Sequence, residues 1–211
     1  MQTFIFHLFL IRKNHYIINM PPKIRSFFPA ALTAISVLFS QNLAAQDSAA
    51  SLFDGENLSY FESFEAALTA AAEIPSAFDS PVEIALLKDT ILNEPFTVSD
   101  GLHIRLVPEG MNTTISRGAA LLEYPLIWLS GDSASLTLGK PGMEHELFID
   151  GGYLNDPPII AACPLVSVCG PDSKLIMYDN VTLQNNCNSG DGAHNSYYQL
   201  GGGVYIRTAG T

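Results

Sequence analysis

The chain has 211 residues, 47% of them hydrophobic and only 15% charged, so it should bury a core and is no disordered acidic tail. Residues 1–45 hold Arg12, Lys13, Lys23 and Arg25 and no acidic residue, and the six other Lys and Arg stand against 21 Asp and Glu, which leaves residues 46–211 at −15. A surface this acidic repels phosphate backbones and anionic headgroups, which excludes nucleic acid as a partner.

Along the chain, Met20 opens a short basic segment with Lys23 and Arg25. An apolar run from Phe27 to Phe39 follows, then Leu43-Ala44-Ala45 before Gln46. This is the order of a cleavable secretory signal, with cleavage expected after Ala45. Pro29 and Ser36 interrupt the run, which falls short of the roughly 20 apolar residues of a spanning helix. Residues 1–19 are then an upstream extension, as from a start codon placed too early. No membrane span is expected in the remaining 166 residues, and the product is expected to be secreted or displayed at a bacterial cell surface.

Residues 46–58 are small and polar and read as a flexible leader. From Ser59 to Glu73 the apolar Phe61, Phe64, Leu68 and Ala71 fall on one helical face, with Ser59 and Glu62 spaced as a capping box and Pro75 as the stop. Beyond it the periodicity is that of short strands: 82–87, 102–107, 121–129, 136–138, 147–149, 165–168, 175–177, 181–183 and 204–206. Gly, Pro, Asp, Asn and Ser separate them.

Ile84, Ile104 and Leu126 are 20 and 22 residues apart, a solenoid-like spacing. At an offset of 39, Leu126, Ile127, Leu129, Gly131, Leu136 and Leu138 align with Leu165, Val166, Val168, Gly170, Leu175 and Met177. A β-sandwich also offers many short strands. The offset match, with a helix placed to cover one end of a stack, favours an all-β solenoid.

Near the end, Val181-Thr182-Leu183-Gln184-Asn185-Asn186 precedes a loop with Gly190-Asp191-Gly192, and Gly201-Gly202-Gly203-Val204-Tyr205-Ile206 follows. This pairing resembles the repeats of polymorphic outer membrane protein-like, pectin-lyase-like right-handed parallel β-helix proteins of bacteria. Leu136-Thr137-Leu138-Gly139 and Leu147-Phe148-Ile149-Asp150-Gly151-Gly152 are similar to their leader coils, so the resemblance covers 59–211. It implies a right-handed parallel β-helix with a short N-terminal capping helix. It also implies a surface or secreted adhesin-like scaffold that contacts a host or cell-surface glycan or protein. Many coils usually follow in such proteins, so 59–211 is expected to be the N-terminal part of a longer, truncated stack. Asn side chains at a coil corner should bond along the stack.

The same fold carries polysaccharide lyases and glycosidases, and a carbohydrate-active enzyme lacking its catalytic coils is the alternative. Glycoside hydrolysis needs paired carboxylates, and a lyase needs a base beside an acidified sugar proton. Asp150 and Asp179 read as turn formers, and Asp191 and His194 sit in a Gly/Asn/Ser loop. Arg207 lacks the Arg-x-Lys and Gly-His-Gly context of polygalacturonases. No catalytic residue, cofactor or metal site is therefore assigned. His103 and His145 are isolated, and no Asp-rich nonapeptide or Cys-x-x-Cys pattern marks calcium or zinc.

Cys163, Cys169 and Cys187 make an odd number. The first two are near enough in sequence to pair in an oxidising compartment, but a buried thiol is expected for each. Tyr124 and Trp128 would suit a sugar-stacking platform, yet they lie in an apolar run and are expected in the core. The adjacent Tyr197 and Tyr198 offer a contact surface.

Overall fold

A computed structural model describes residues 47–188 and 202–207. The export signal and the candidates Asp191, His194, Tyr197 and Tyr198 lie outside them.

The first elements differ from the expectation. Residues 46–58 are not a loose leader among the described positions: β1 (Ala50–Phe53) and β2 (Leu58–Phe61) form an antiparallel hairpin. Its turn is Asp54-Gly55-Glu56-Asn57, where the Asp54 carboxylate accepts the backbone N–H of Glu56 at 2.8 Å and of Asn57 at 2.7 Å, and Gly55 takes φ 102°. Those two N–H bonds, Asn57 first, hold the Asp54 carboxyl below its ordinary value. The hairpin claims Ser59 to Phe61, so α1 spans Phe64–Ala72 rather than starting at Ser59. Its cap is Ser63, whose hydroxyl accepts the Ala66 N–H at 3.1 Å, and not the Ser59–Glu62 box. Phe64, Ala67 and Ala71 are buried, and the Phe64 ring meets Phe96 edge-on at 5.4 Å.

Short runs of β-branched and aliphatic residues between turn formers give the remaining strands. They are β3 (Val82–Leu86), β4 (Thr90–Leu92), β5 (Phe96–Val98), β6 (His103–Pro108), β7 (Thr113–Arg117), β8 (Ile127–Leu129), β9 (Ser135–Leu138) and β10 (Leu147–Asp150). After these come β11 (Ile160–Ala161), β12 (Val166–Val168), β13 (Lys174–Met177), β14 (Val181–Gln184), β15 (Cys187–Asn188) and β16 (Val204–Ile206). They pair into sheets ordered β13-β9-β6-β3-β1-β2, β14-β10-β7-β4 and β16-β12-β8-β5, with β11 beside β15. From β3 onward every named pair is parallel, unlike the antiparallel sandwich. The chain visits the three larger sheets in a fixed order: β3, β4, β5; then β6, β7, β8; then β9, β10, β12; then β13, β14, β16.

The residues aligned at offset 39 are direct register partners, Ile127 with Val166 and Leu136 with Leu175. The 22-residue spacing is the register offset from β3 to β6, but 20 is not, and the residues expected to stack are not partners. Ile84 pairs with Leu106, and Ile104 with Val82, while Leu126 precedes a strand of another sheet. The expected strand over 121–129 shortens to β8, because the backbone from Leu121 to Tyr124 is drawn onto an arginine side chain described below.

Alternate residues of each strand point into one core. Ile84, Leu86, Ile104, Leu106, Leu136 and Leu138 enter from the first sheet, Ile115, Leu147 and Ile149 from the second, and Phe96, Val98, Ile127, Leu129, Val166 and Val168 from the third. Helix α1 packs against β1, β2 and β3 at one end. At the other, the inward residues Leu175, Val181, Leu183 and Val204 are only partly buried. Connections from the second sheet to the third span 93–95, 118–126, 151–165 and 185–203, whereas those from the third to the first stay at 99–102, 130–134 and 169–173.

Candidate functional site

With Ile127 and Leu129 facing inward, Trp128 must face outward. It is half-buried, and Tyr124 on the preceding connection is 49% exposed, with the two ring centroids 6.3 Å apart and the planes at 30°. The expectation that both pack in the core is therefore corrected. An apolar run in sequence did not reveal that Pro125 separates a surface connection from a three-residue strand. The register carries the row across the third sheet as Thr97, Trp128, Ser167 and Tyr205. Ser167 is 1% exposed, as a short side chain between two ring-bearing neighbours should be.

The connection bearing Tyr124 is held from beneath by a residue that the sequence reading passed over. Strand β7 alternates, so Thr113, Ile115 and Arg117 all point inward, and Arg117 is 1% exposed. Its guanidinium donates to the carbonyls of Leu121 and Tyr124, each at 2.7 Å, and to that of Pro164 at 3.0 Å, while Nε has no partner. Burial lowers its pKa to about 10, with Cys163 opposing the fall, so it stays charged at neutral pH. Cys163 donates its thiol to the Glu123 carbonyl at 2.9 Å. Burial pushes that thiol up to about 11, with Arg117 pulling it down and Glu123 pushing it up. Four side-chain contacts thus fix connection 118–126 and the neighbouring Pro164. An arginine in step with Thr113 and Ile115 was the available signal.

The Asn-rich corner does bond between layers. Asn186 donates to the carbonyls of Cys163 at 3.1 Å and Gly202 at 2.5 Å, and its own amide oxygen is buried without a partner. Asn185, at φ 54°, donates to Asp150 at 2.7 Å. Asp150 also accepts Gln184 at 2.9 Å and the Gly152 N–H at 2.6 Å, so both its oxygens are engaged in holding a turn and the next strand. Three structural donors thus occupy most of the acceptor sites of this carboxylate and commit it to the turn and the next strand.

Of the other candidates, Asp179 is exposed in the turn between β13 and β14, and the Arg207 backbone N–H extends the third sheet to Val168 at 2.8 Å. His103 bonds through Nδ1 to Ser135 at 2.8 Å, and its backbone N–H bonds Ser76 at 3.0 Å; His145 is half-buried in the connection before β10. Cys163, Cys169 and Cys187 are all free, so the first two are unpaired with each other. Cys163 is buried as expected, whereas Cys169 and Cys187 are half-buried, and the Cys169 sulfur lies 3.1 Å from the Ser167 hydroxyl. Among the described residues no cluster of three or more His, Cys, Asp and Glu has the geometry to hold a metal ion, and no helix is long and apolar enough to cross a membrane.

Two carboxylates do share a hollow on the outer face of the first sheet, where Glu83 and Glu109 line a cavity of about 200 Å³. Glu83 is bonded to Lys140 at 2.7 Å and lies 3.7 Å from Arg105, and Glu109 accepts the Ser51 hydroxyl at 3.3 Å. Each is committed to a structural partner. No family model, curated protein or solved structure matches this chain.

Proposed function

We propose that the chain is an exported, non-enzymatic binding scaffold, a right-handed parallel β-helix of the polymorphic outer membrane protein-like kind, whose outer faces and connections contact a glycan or protein at a cell surface. One observation carries this reading: the fixed order in which the chain visits three parallel sheets, with core residues stacked in register from layer to layer. The basic, apolar and small-residue order of 20–45 supports export.

The polar inventory supports binding over catalysis. Asp150 joins layers, Glu83 pairs with Lys140, and Arg117 clamps a connection, so the groups that would do acid–base chemistry are engaged in holding the structure. The enzymatic alternative has in its favour the cavity shared by Glu83 and Glu109, but a catalytic pair needs one carboxyl free to give and take a proton and a second free to act as nucleophile or base, and both here are bonded to structural partners.

The test is expression of the chain in a bacterium with fractionation and N-terminal sequencing of the product. A protein outside the cytoplasm beginning at Gln46, releasing no reducing ends or unsaturated products from neutral and acidic polysaccharides, is expected. A cytoplasmic, unprocessed product would remove the export reading, and polysaccharide cleavage would remove the non-enzymatic one.

A further inference from the structure

The aromatic row on the third sheet calls for a ligand chemistry of its own. Outward positions of a sheet exposed to water are ordinarily polar, and here two of four in one row are Trp128 and Tyr205, with Tyr124 leaning against Trp128. Strands two apart in a sheet stand about 10 Å from each other, which is close to the length of a disaccharide. Tyr124 is not exposed by looseness: Arg117 holds its carbonyl and that of Leu121, and Cys163 holds that of Glu123, so the ring is presented on a pinned connection and little ordering is needed on binding. Thr97 and the two tyrosines bring hydroxyls and no charge to the row, while Ser167 is buried between the rings. The net charge of −15 over 46–211 opposes a polyanion.

We infer that Tyr124, Trp128 and Tyr205 form a stacking platform for an uncharged, β-linked polysaccharide chain, a proposal that rests on the binding-scaffold reading. The apolar faces of pyranose rings lie on the aromatic rings, with Trp128 and Tyr205 spaced to meet alternate sugars. An apolar surface of this kind with polar edges suits a ligand that is itself amphipathic by face. Anionic chains such as polygalacturonate should be refused.

Trp128 is the only tryptophan of the chain, so its fluorescence reports the site directly. The purified protein is titrated with hexaoses of β-1,4-linked glucose and of N-acetylglucosamine, and with polygalacturonate at matched ionic strength. A saturable shift with at least one uncharged hexaose is expected. Tyr124→Ala and Tyr205→Ala should each weaken binding roughly tenfold, and Tyr124→Phe, which keeps the ring, should bind as the parent does. Thermal unfolding of each variant separates lost binding from lost folding, and Tyr124, being outside the core, should leave the midpoint unchanged. No shift with either uncharged hexaose, binding confined to polygalacturonate, or binding that survives loss of both tyrosines would overturn the platform. Hexaose binding that survives the double variant leaves the scaffold reading standing, whereas export and cleavage assays test that reading on their own.

Discussion

The guanidinium of Arg117 and the backbone carbonyl of Tyr124 meet at 2.7 Å, so the position of a surface ring is set by a side chain that is itself buried. Arg117→Ala leaves the carbonyls of Leu121, Tyr124 and Pro164 without their donor and opens a cavity. It should cost roughly 3–5 kcal/mol, and Arg117→Lys, which keeps the charge but loses the fork, about half of that. Urea unfolding of the two variants checks both values. Equal stability of Arg117→Ala and the parent would show that the clamp contributes nothing.

Cys163 gives a pH signature. Its folded pKa of about 11 lies above the ordinary 9.0, so the folded state holds its proton where the unfolded state has lost it. The associated stability is fully present below about pH 9 and is lost as pH rises toward 11. At pH 8 iodoacetamide should therefore modify Cys169 and Cys187 well before Cys163 in the native protein, and all three alike in urea. Mass spectrometry of peptides over time reads the order.

The glycines at the end of β8 and β12 are close-approach positions. A Cβ on Gly131 would run into the backbone of Ser99 and Asp100, and one on Gly170 into the carbonyl of Gly131. Gly170→Ala should destabilise by about 1–3 kcal/mol through forced separation of two layers. Gly110→Ala meets open space but sits at φ 76°, so its cost comes only from backbone strain, of order 1 kcal/mol. Chemical denaturation of the pair distinguishes crowding from strain.

Core depth should decide how leucines along one stack respond. Leu136 is fully buried between Ile104 and Leu175, whereas Leu175 is only partly buried in the last described strand of the first sheet. Leu136→Ala is expected to cost about 3–4 kcal/mol, and Leu175→Ala less than half as much. Comparable losses would mean that the last layer is covered more fully than Leu175 itself suggests.

Particular residues show what was legible in advance. The inward stacking of Leu136 on Leu175 was readable because the apolar pattern and the Gly after it recur at one offset, and a parallel register keeps that offset physically. Trp128 and Tyr124 were misplaced because an apolar run carries no mark of where alternation begins; only the three-residue length of β8 decides which of its members turn outward. The hairpin β1–β2 was hidden by small residues, although Asp54-Gly55 carried its turn chemistry. Arg117 escaped because no strand was expected over 113–117, where Ile115 is the one aliphatic residue, so the alternation that turns the arginine inward went unread.

The unequal connections bear on how such a surface could change over time. From the second sheet to the third they run to three, nine, fifteen and nineteen residues, while the strands on either side keep parallel register. Doubling a loop costs only about 0.6 kcal/mol where nothing grips it, so insertions outside the 121–124 stretch held by Arg117 and Cys163 come at small thermodynamic expense while the three larger sheets keep their register. Tyr124 stands on one of these connections, beside a tryptophan that the ladder immobilises. Recognition here would be half fixed and half adjustable: the sheet sets the spacing, and insertions at one edge retune what the spacing is used to hold.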